Sequence, residues 1–259
     1  MTLEGANIKL GSVASDVLGV SGRAMLTAII GGTTDVTVLA ELALGKLRDK
    51  RAELEQALAG SVGPHQRFLL AEQLTHLDEL DAGIARLSAE IAERLRPYEQ
   101  QVARLDGIPG VGRRVAEIIV AEVGTDLDRF PSAAHLASWA GMCPGQDESA
   151  GKRRSGKTRK GNRALRAALI EAAYAATRKK DSYLAAQYRR LAARRGKKKA
   201  AVAVGHSILR IAYYLLHEER DYTDLGPDYF DQRDKERTKQ RLVQRLTQLG
   251  FEVTVSPAA

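Results

Sequence analysis

Two serines, Ser149 and Ser155, stand in a segment, Gly141 to Asn162, whose other side chains are those of a phosphate-binding loop. Gly141, Gly145, Gly151, Gly156 and Gly161 punctuate it, and Lys152, Arg153, Arg154, Lys157, Arg159 and Lys160 give it charge. Glycine has no Cβ, so backbone N–H groups come close to phosphate oxygens while lysine and arginine neutralise them. The combination suits nucleic acid. A serine hydroxyl beside a scissile phosphodiester is also a candidate nucleophile. From composition alone, the plainer reading is that both serines are ordinary loop residues touching phosphates.

The charge around them is concentrated. From Lys152 to Lys199 there are eighteen Lys and Arg against Glu171 and Asp181, while the whole chain of 259 residues carries only +8, so the remainder is net acidic. Asn162 and Arg163 open the segment after the loop, and Arg194 to Lys199 adds a second block in which Lys197, Lys198 and Lys199 suit a phosphate backbone. The single cysteine, Cys143, rules out an internal disulfide and a cysteine-built zinc site, and His135 has no partner at ligand spacing, so no metal ligands are assigned. No stretch is apolar for the thickness of a bilayer and the N-terminus has no signal pattern. A cytoplasmic protein without membrane contact is expected.

The elements that must position these residues read as mainly α. Glycines interrupt the first thirty or so residues, with a helix expected from Ser21-Gly22 to Gly31-Gly32, and Asp35 to Leu58 reads as one or two short helices. Leu70, Leu74, Leu77, Leu80, Ile84, Leu87, Ile91 and Leu95 then recur in steps of three and four. That spacing predicts a long helix, Gln66 to Arg96, with a narrow apolar seam that either forms a coiled coil in a homo-oligomer or packs back on Leu39 to Leu58. A domain boundary is expected near residue 104, separating N-terminal helices and linker (1–104) from a second helical domain (105–259). Leu105 to Gly112 resembles the turn of a helix-hairpin-helix element, in which Gly110 and Gly112 offer backbone amides to a phosphate; a plain helix connection is the alternative. Trp139 is expected in the core beside Phe130 and Leu136 rather than as a base-stacking platform, and His206 as a buried polar residue rather than a catalyst. Later helices are expected after Asp181-Ser182, ending near Gly196, and from Asp231 to Leu249, with an extended tail over 251–255.

Leu105 to Gly112, Phe130-Pro131 to Gly141, Ser149-Ala150-Gly151-Lys152-Arg153, Lys160-Gly161-Asn162-Arg163 and Tyr183 through Ala200 together resemble the C-terminal domain of the DEDD-type insertion-sequence transposases, relatives of the Piv-type DNA invertases. The resemblance implies a DNA transposase that cuts and rejoins strands through a serine nucleophile. Its serine falls on Ser149 and not on Ser155. The implied partners are DNA, as element ends and target, and a structured guide RNA of the kind used by bridge-RNA-guided recombinases. The family's RuvC-like domain with four carboxylates is not found: Glu117, Glu122, Asp126 and Asp128 are scattered. This chain is therefore expected to be a C-terminal portion with no cofactor of its own, Mg2+ belonging with the carboxylate domain. A non-catalytic nucleic-acid-binding module, a transposase remnant, is the competing reading.

Overall fold

The computed structural model describes residues 2–145 and 147–256. Among them the structure is helical apart from one small hairpin, so the mainly α class holds. The chain divides into two compact units, Met1–Glu93 and Arg94–Ala259.

In the first unit, α1 (Thr2–Gly5), α2 (Leu10–Val13), α3 (Val20–Ile30), α4 (Val36–Glu41), a 3-10 turn (Gly45–Lys50) and α5 (Arg51–Leu58) precede the long α6 (Pro64–Leu95), which runs on into the second unit. Helix α3 starts earlier than expected, after Gly19, because Ser21 is used elsewhere: its hydroxyl accepts the Leu44 N–H at 2.9 Å. Gly22 must be glycine, since a Cβ there would stand 2.0 Å from the Val17 carbonyl oxygen. Asp35 caps α4 by accepting the N–H groups of Thr37 and Val38. Leu10, Met25, Ile29, Leu39, Leu54 and Leu58 form the core of this unit.

Helix α6 divides its seam between the two expected uses. Leu70 is buried in that core and Leu74 packs on it, as the packed-back alternative requires. Further along, Leu80, Ile84 and Leu87 are 49%, 58% and 65% exposed. Arg23 of α3 pairs with Asp78 and Asp81 on the polar side of α6.

The second unit is built round α12 (Lys197–His217), against which α7 (Glu99–Asp106), α9 (Ala133–Trp139), α10 (Arg163–Ala176) and α11 (Tyr183–Arg195) all pack; α8 (Arg113–Val123) lies between α7 and α10. Burial follows the helical period: Leu165, Leu169, Ala172, Ala173 and Ala176 are buried on α10, and Ala201, Val204, Ile208 and Ala212 are buried on α12, against which α10 packs. Gly205 permits the close approach, because a Cβ there would meet Met142 Cε at 2.9 Å and the Leu169 carbonyl oxygen at 3.1 Å. Ser182 caps α11 by accepting the Ala185 N–H, and Gly196, at φ 83°, ends α11 and begins α12. The expected helix from Asp231 to Leu249 is instead α13 (Tyr229–Arg233) and α14 (Lys235–Gln248), broken where Asp234 leaves helical geometry at φ −136° and ψ 57°. The tail over 251–255 joins no sheet. No described helix is long and apolar enough to cross a membrane.

Candidate nucleic-acid interface

The cationic segment closes on itself before it projects. At its foot Gly141, at φ 68°, lies against Gly161: a Cβ on Gly161 would stand 2.4 Å from the Ala140 carbonyl carbon, and one on Gly141 would stand 2.8 Å from the Gly161 nitrogen. One step out, the Gly145 N–H donates to the Lys157 carbonyl oxygen at 3.1 Å. These backbone contacts form a neck. Beyond it β1 (Asp147–Ser149) pairs antiparallel with β2 (Lys152–Ser155), Ser149 opposite Lys152 and Glu148 opposite Arg153. Asp147 then faces Ser155, which leaves Arg154 as the extra residue of a bulge.

Ala150 and Gly151 make the two-residue turn, with φ 51° and 72°. Positive φ at both positions is the turn that fits the twist of a hairpin. Gly151 adopts it freely, whereas Ala150 holds a left-handed conformation that costs a residue with a Cβ about 1 kcal/mol. This strain sits beside Ser149.

The two serines occupy different settings. Ser149 is exposed, and among the described residues no hydrogen bond engages its hydroxyl. Ser155 is half-buried, and its hydroxyl accepts the Lys157 N–H at 3.1 Å. Lys152, Lys157, Arg159 and Lys160 are exposed along the hairpin and its return; the side chains of Arg153 and Arg154, and residue Gln146, lie outside the described residues. Asn162 caps α10, accepting the Leu165 N–H at 3.0 Å, while its amide donates to Glu122. Arg163 is exposed at the first position of α10, and Arg166 donates to the Gly141 carbonyl oxygen at 3.4 Å, tying the helix to the neck.

Basic residues open four of the described helices of this unit, α8, α10, α12 and α14, where the helix dipole disfavours them. In α8 the charge is absorbed: Arg113 is bidentate with Glu99 at 2.7 and 2.9 Å, and both Arg113 and Arg114 bond Glu117 at 3.1 Å. In α12 it is not. Lys197, Lys198 and Lys199 are exposed, no side chain caps the helix, and none of the three has an ion-pair partner among the described residues. Gly110 and Gly112 also differ. A Cβ on Gly110 would stand 2.2 Å from the Ala172 carbonyl oxygen, so this glycine, at φ 87°, serves packing on α10; Gly112 faces open space before α8.

Trp139 is not the core residue its composition suggests. It is 44% exposed, while Phe130 beside it is 8% exposed, their ring centroids 5.5 Å apart. Three of the four carboxylates singled out in the sequence are engaged in the fold, Glu117 by two arginines, Glu122 by Asn162 and Asp126 by the Asp128 N–H at 3.0 Å, while Asp128 is exposed. Among the described residues no three His, Cys, Asp or Glu side chains gather as a metal site. His206 is half-buried on α12, where burial first and the Arg210 charge second hold its imidazole below the usual range. Cys143 is a free thiol. The backbone crossing at the neck, and the pairing of Asn162 with Glu122, were not visible in the sequence, since they join residues twenty and forty positions apart.

Residues 102–189, from α7 through the hairpin into α11, match the profile of the Transposase IS116/IS110/IS902 family. The family that this region matches is thus one of transposases. Over 111 residues the chain is 35% identical to the insertion element IS110 uncharacterized 43.6 kDa protein of Streptomyces coelicolor, a match covering 38% of this chain and 27% of that one. Over 134 residues it is 32% identical to a putative transposase, y4pF/y4sB, of Sinorhizobium fredii, covering 50% and 34%. The chain matches about a third or less of the length of these relatives.

Proposed function

We propose that this chain is the portion of an insertion-element transposase that grips DNA and carries the nucleophile, Ser149. The observation that carries the reading is the setting of Ser149: exposed, opposite Lys152, next to a strained two-residue turn on a cationic hairpin, within the segment that matches the family. Strain of this kind persists where function holds it.

Chemically, the Ser149 oxygen attacks a DNA phosphorus, an O–P bond forms, the bond from phosphorus to one sugar oxygen breaks, and the serine proton ends on the released sugar hydroxyl. The product is a phosphoserine diester that conserves the bond for rejoining. Lys152 lies opposite Ser149 in the ladder, where its ammonium favours the charge that builds on the non-bridging oxygens. Lys157, Arg159, Lys160, Asn162, Arg163 and Lys197 to Lys199 hold the backbone phosphates, and Gly112 offers the amides that open α8. The same cations suit a structured guide RNA as a second polyanion. The carboxylates of a RuvC-like partner segment complete the site. This chain gathers no metal-ligand set among its described residues.

The test is to combine the chain with the carboxylate-bearing segment of such a transposase, add a labelled DNA junction, and map any DNA-linked peptide. An adduct on Ser149, lost in Ser149→Ala with binding unchanged, is expected. An adduct on Ser155 overturns the assignment, and binding without any adduct leaves a non-catalytic nucleic-acid module.

A further inference from the structure

We infer that Trp139 is a stacking platform for one unpaired nucleobase at the foot of the cationic hairpin. The inference rests on the reading of this surface as a nucleic-acid interface and adds to it a contact with a base where the hairpin supplies contacts with phosphate.

The first observation is that an indole is left 44% exposed although Phe130, its neighbour at 5.5 Å, is 8% exposed. An aromatic body of that size usually buries its surface. Here the Phe130 ring, inclined at 57°, supports one part of the indole and leaves the rest to solvent. Phe130 is itself fixed: the Arg129 guanidinium lies over its ring at 5.0 Å from the centroid, and its carbonyl accepts the Tyr213 hydroxyl at 3.0 Å. Trp139 therefore stands on a rigid base, as a stacking surface must if ordering it is not to consume the gain.

The second observation is where the indole stands. Trp139 precedes Ala140, whose carbonyl group is in the backbone crossing with Gly161, and Gly161 follows the exposed Arg159 and Lys160. With 3.8 Å between successive Cα atoms, the Trp139 and Lys160 backbones lie within roughly 12 Å of each other. A strand whose phosphates meet Arg159 and Lys160 thus brings its bases within reach of the indole. Cationic tracking of the backbone together with an aromatic face is how single strands are held without regard to sequence. The occupant is a nucleobase rather than an apolar peptide because the backbone crossing nearest the indole leads back into the exposed Arg159 and Lys160, side chains suited to a polyanion.

Trp139 is the only tryptophan in the chain, so its emission reports its own surroundings. The whole chain is titrated with end-labelled oligothymidylate, with oligouridylate, with an abasic strand of equal length and with blunt duplex, anisotropy reading binding and indole emission reading stacking. Base-bearing single strands are expected to quench emission in step with binding, while the abasic strand and the duplex bind and leave it nearly unchanged. Whichever of oligothymidylate and oligouridylate quenches at lower concentration shows whether DNA or RNA supplies the base. Trp139→Ala is expected to weaken the base-bearing strand about tenfold without altering the abasic one, and Trp139→Phe to retain most of the affinity. Equal quenching by the abasic strand overturns the inference. So does equal loss of both strands in Trp139→Ala, or emission that follows protein concentration alone, which shows a second copy on the indole. If no strand binds, the nucleic-acid reading fails, and the inference with it.

Discussion

At the residue scale, the hairpin hangs on side chains that are not themselves proposed to react. Asn162 both caps α10 and bonds Glu122 of α8, so one amide joins two helices at the foot of the neck. Asn162→Ala should cost about 1 kcal/mol, the usual loss for an N-cap, and lower the melting temperature by roughly 2–4 °C in a domain of this size. Calorimetry reads this directly, and an unchanged midpoint would show that the cap is redundant. Glu99 offers a test in pH. Hydrogen bonds from Arg113 hold its carboxyl below the usual carboxylate range. A lowered folded-state value means the contribution is present above the unfolded carboxylate range and is lost as pH falls through the folded one. Glu99→Gln should therefore melt below the parent at neutral pH and converge with it in acid. Because both partners are exposed, the neutral-pH difference should be small.

At the element scale, the neck and the seam of α6 make separate claims. Gly161→Ala places a methyl group where the Ala140 backbone already stands, 2.4 Å away. Overpacking of this kind costs typically about 1–3 kcal/mol, and since the displaced part is the root of the hairpin, affinity for an oligonucleotide should fall along with the melting temperature. Leu80, Ile84 and Leu87 are exposed and follow the spacing of a coiled-coil seam, and we propose that they meet the same helix of a second copy. Changing all three to Gln should lower the mass seen in sedimentation while sparing the core to which Leu70 belongs. An unaltered mass would mean the seam is simply solvated. The helices were legible in the sequence because their periods and caps are local: Leu165 to Ala176 marks one face, and Ser182 and Gly196 mark ends. What was not legible is non-local. The Ala150-Gly151 turn lacks the asparagine or aspartate that usually announces such a hairpin. Asp234 breaks a helix whose charge pattern runs on without interruption. Trp139 has the apolar character of a core residue, and only the packing shows that Phe130 and Leu136 go inward while it does not.

For the whole molecule, the distribution of charge decides more than its sum. The +8 of the chain conceals an acidic remainder round the basic stretch from Lys152 to Lys199, so affinity for nucleic acid should depend on that stretch and on salt. If about six phosphates are neutralised, affinity should drop about a thousandfold between 50 and 200 mM salt. Reversing Lys157, Arg159 and Lys160 to Glu should flatten the slope as well as weaken binding, as filter binding across a salt series would show. A variant with the parental slope would locate the phosphate contacts elsewhere. The backbone crossing of Gly141 and Gly161 has one more consequence. Since the neck is closed by main-chain atoms below the hairpin, the tip can change in sequence or length around Ser149 and Lys152 without disturbing the helices that carry it.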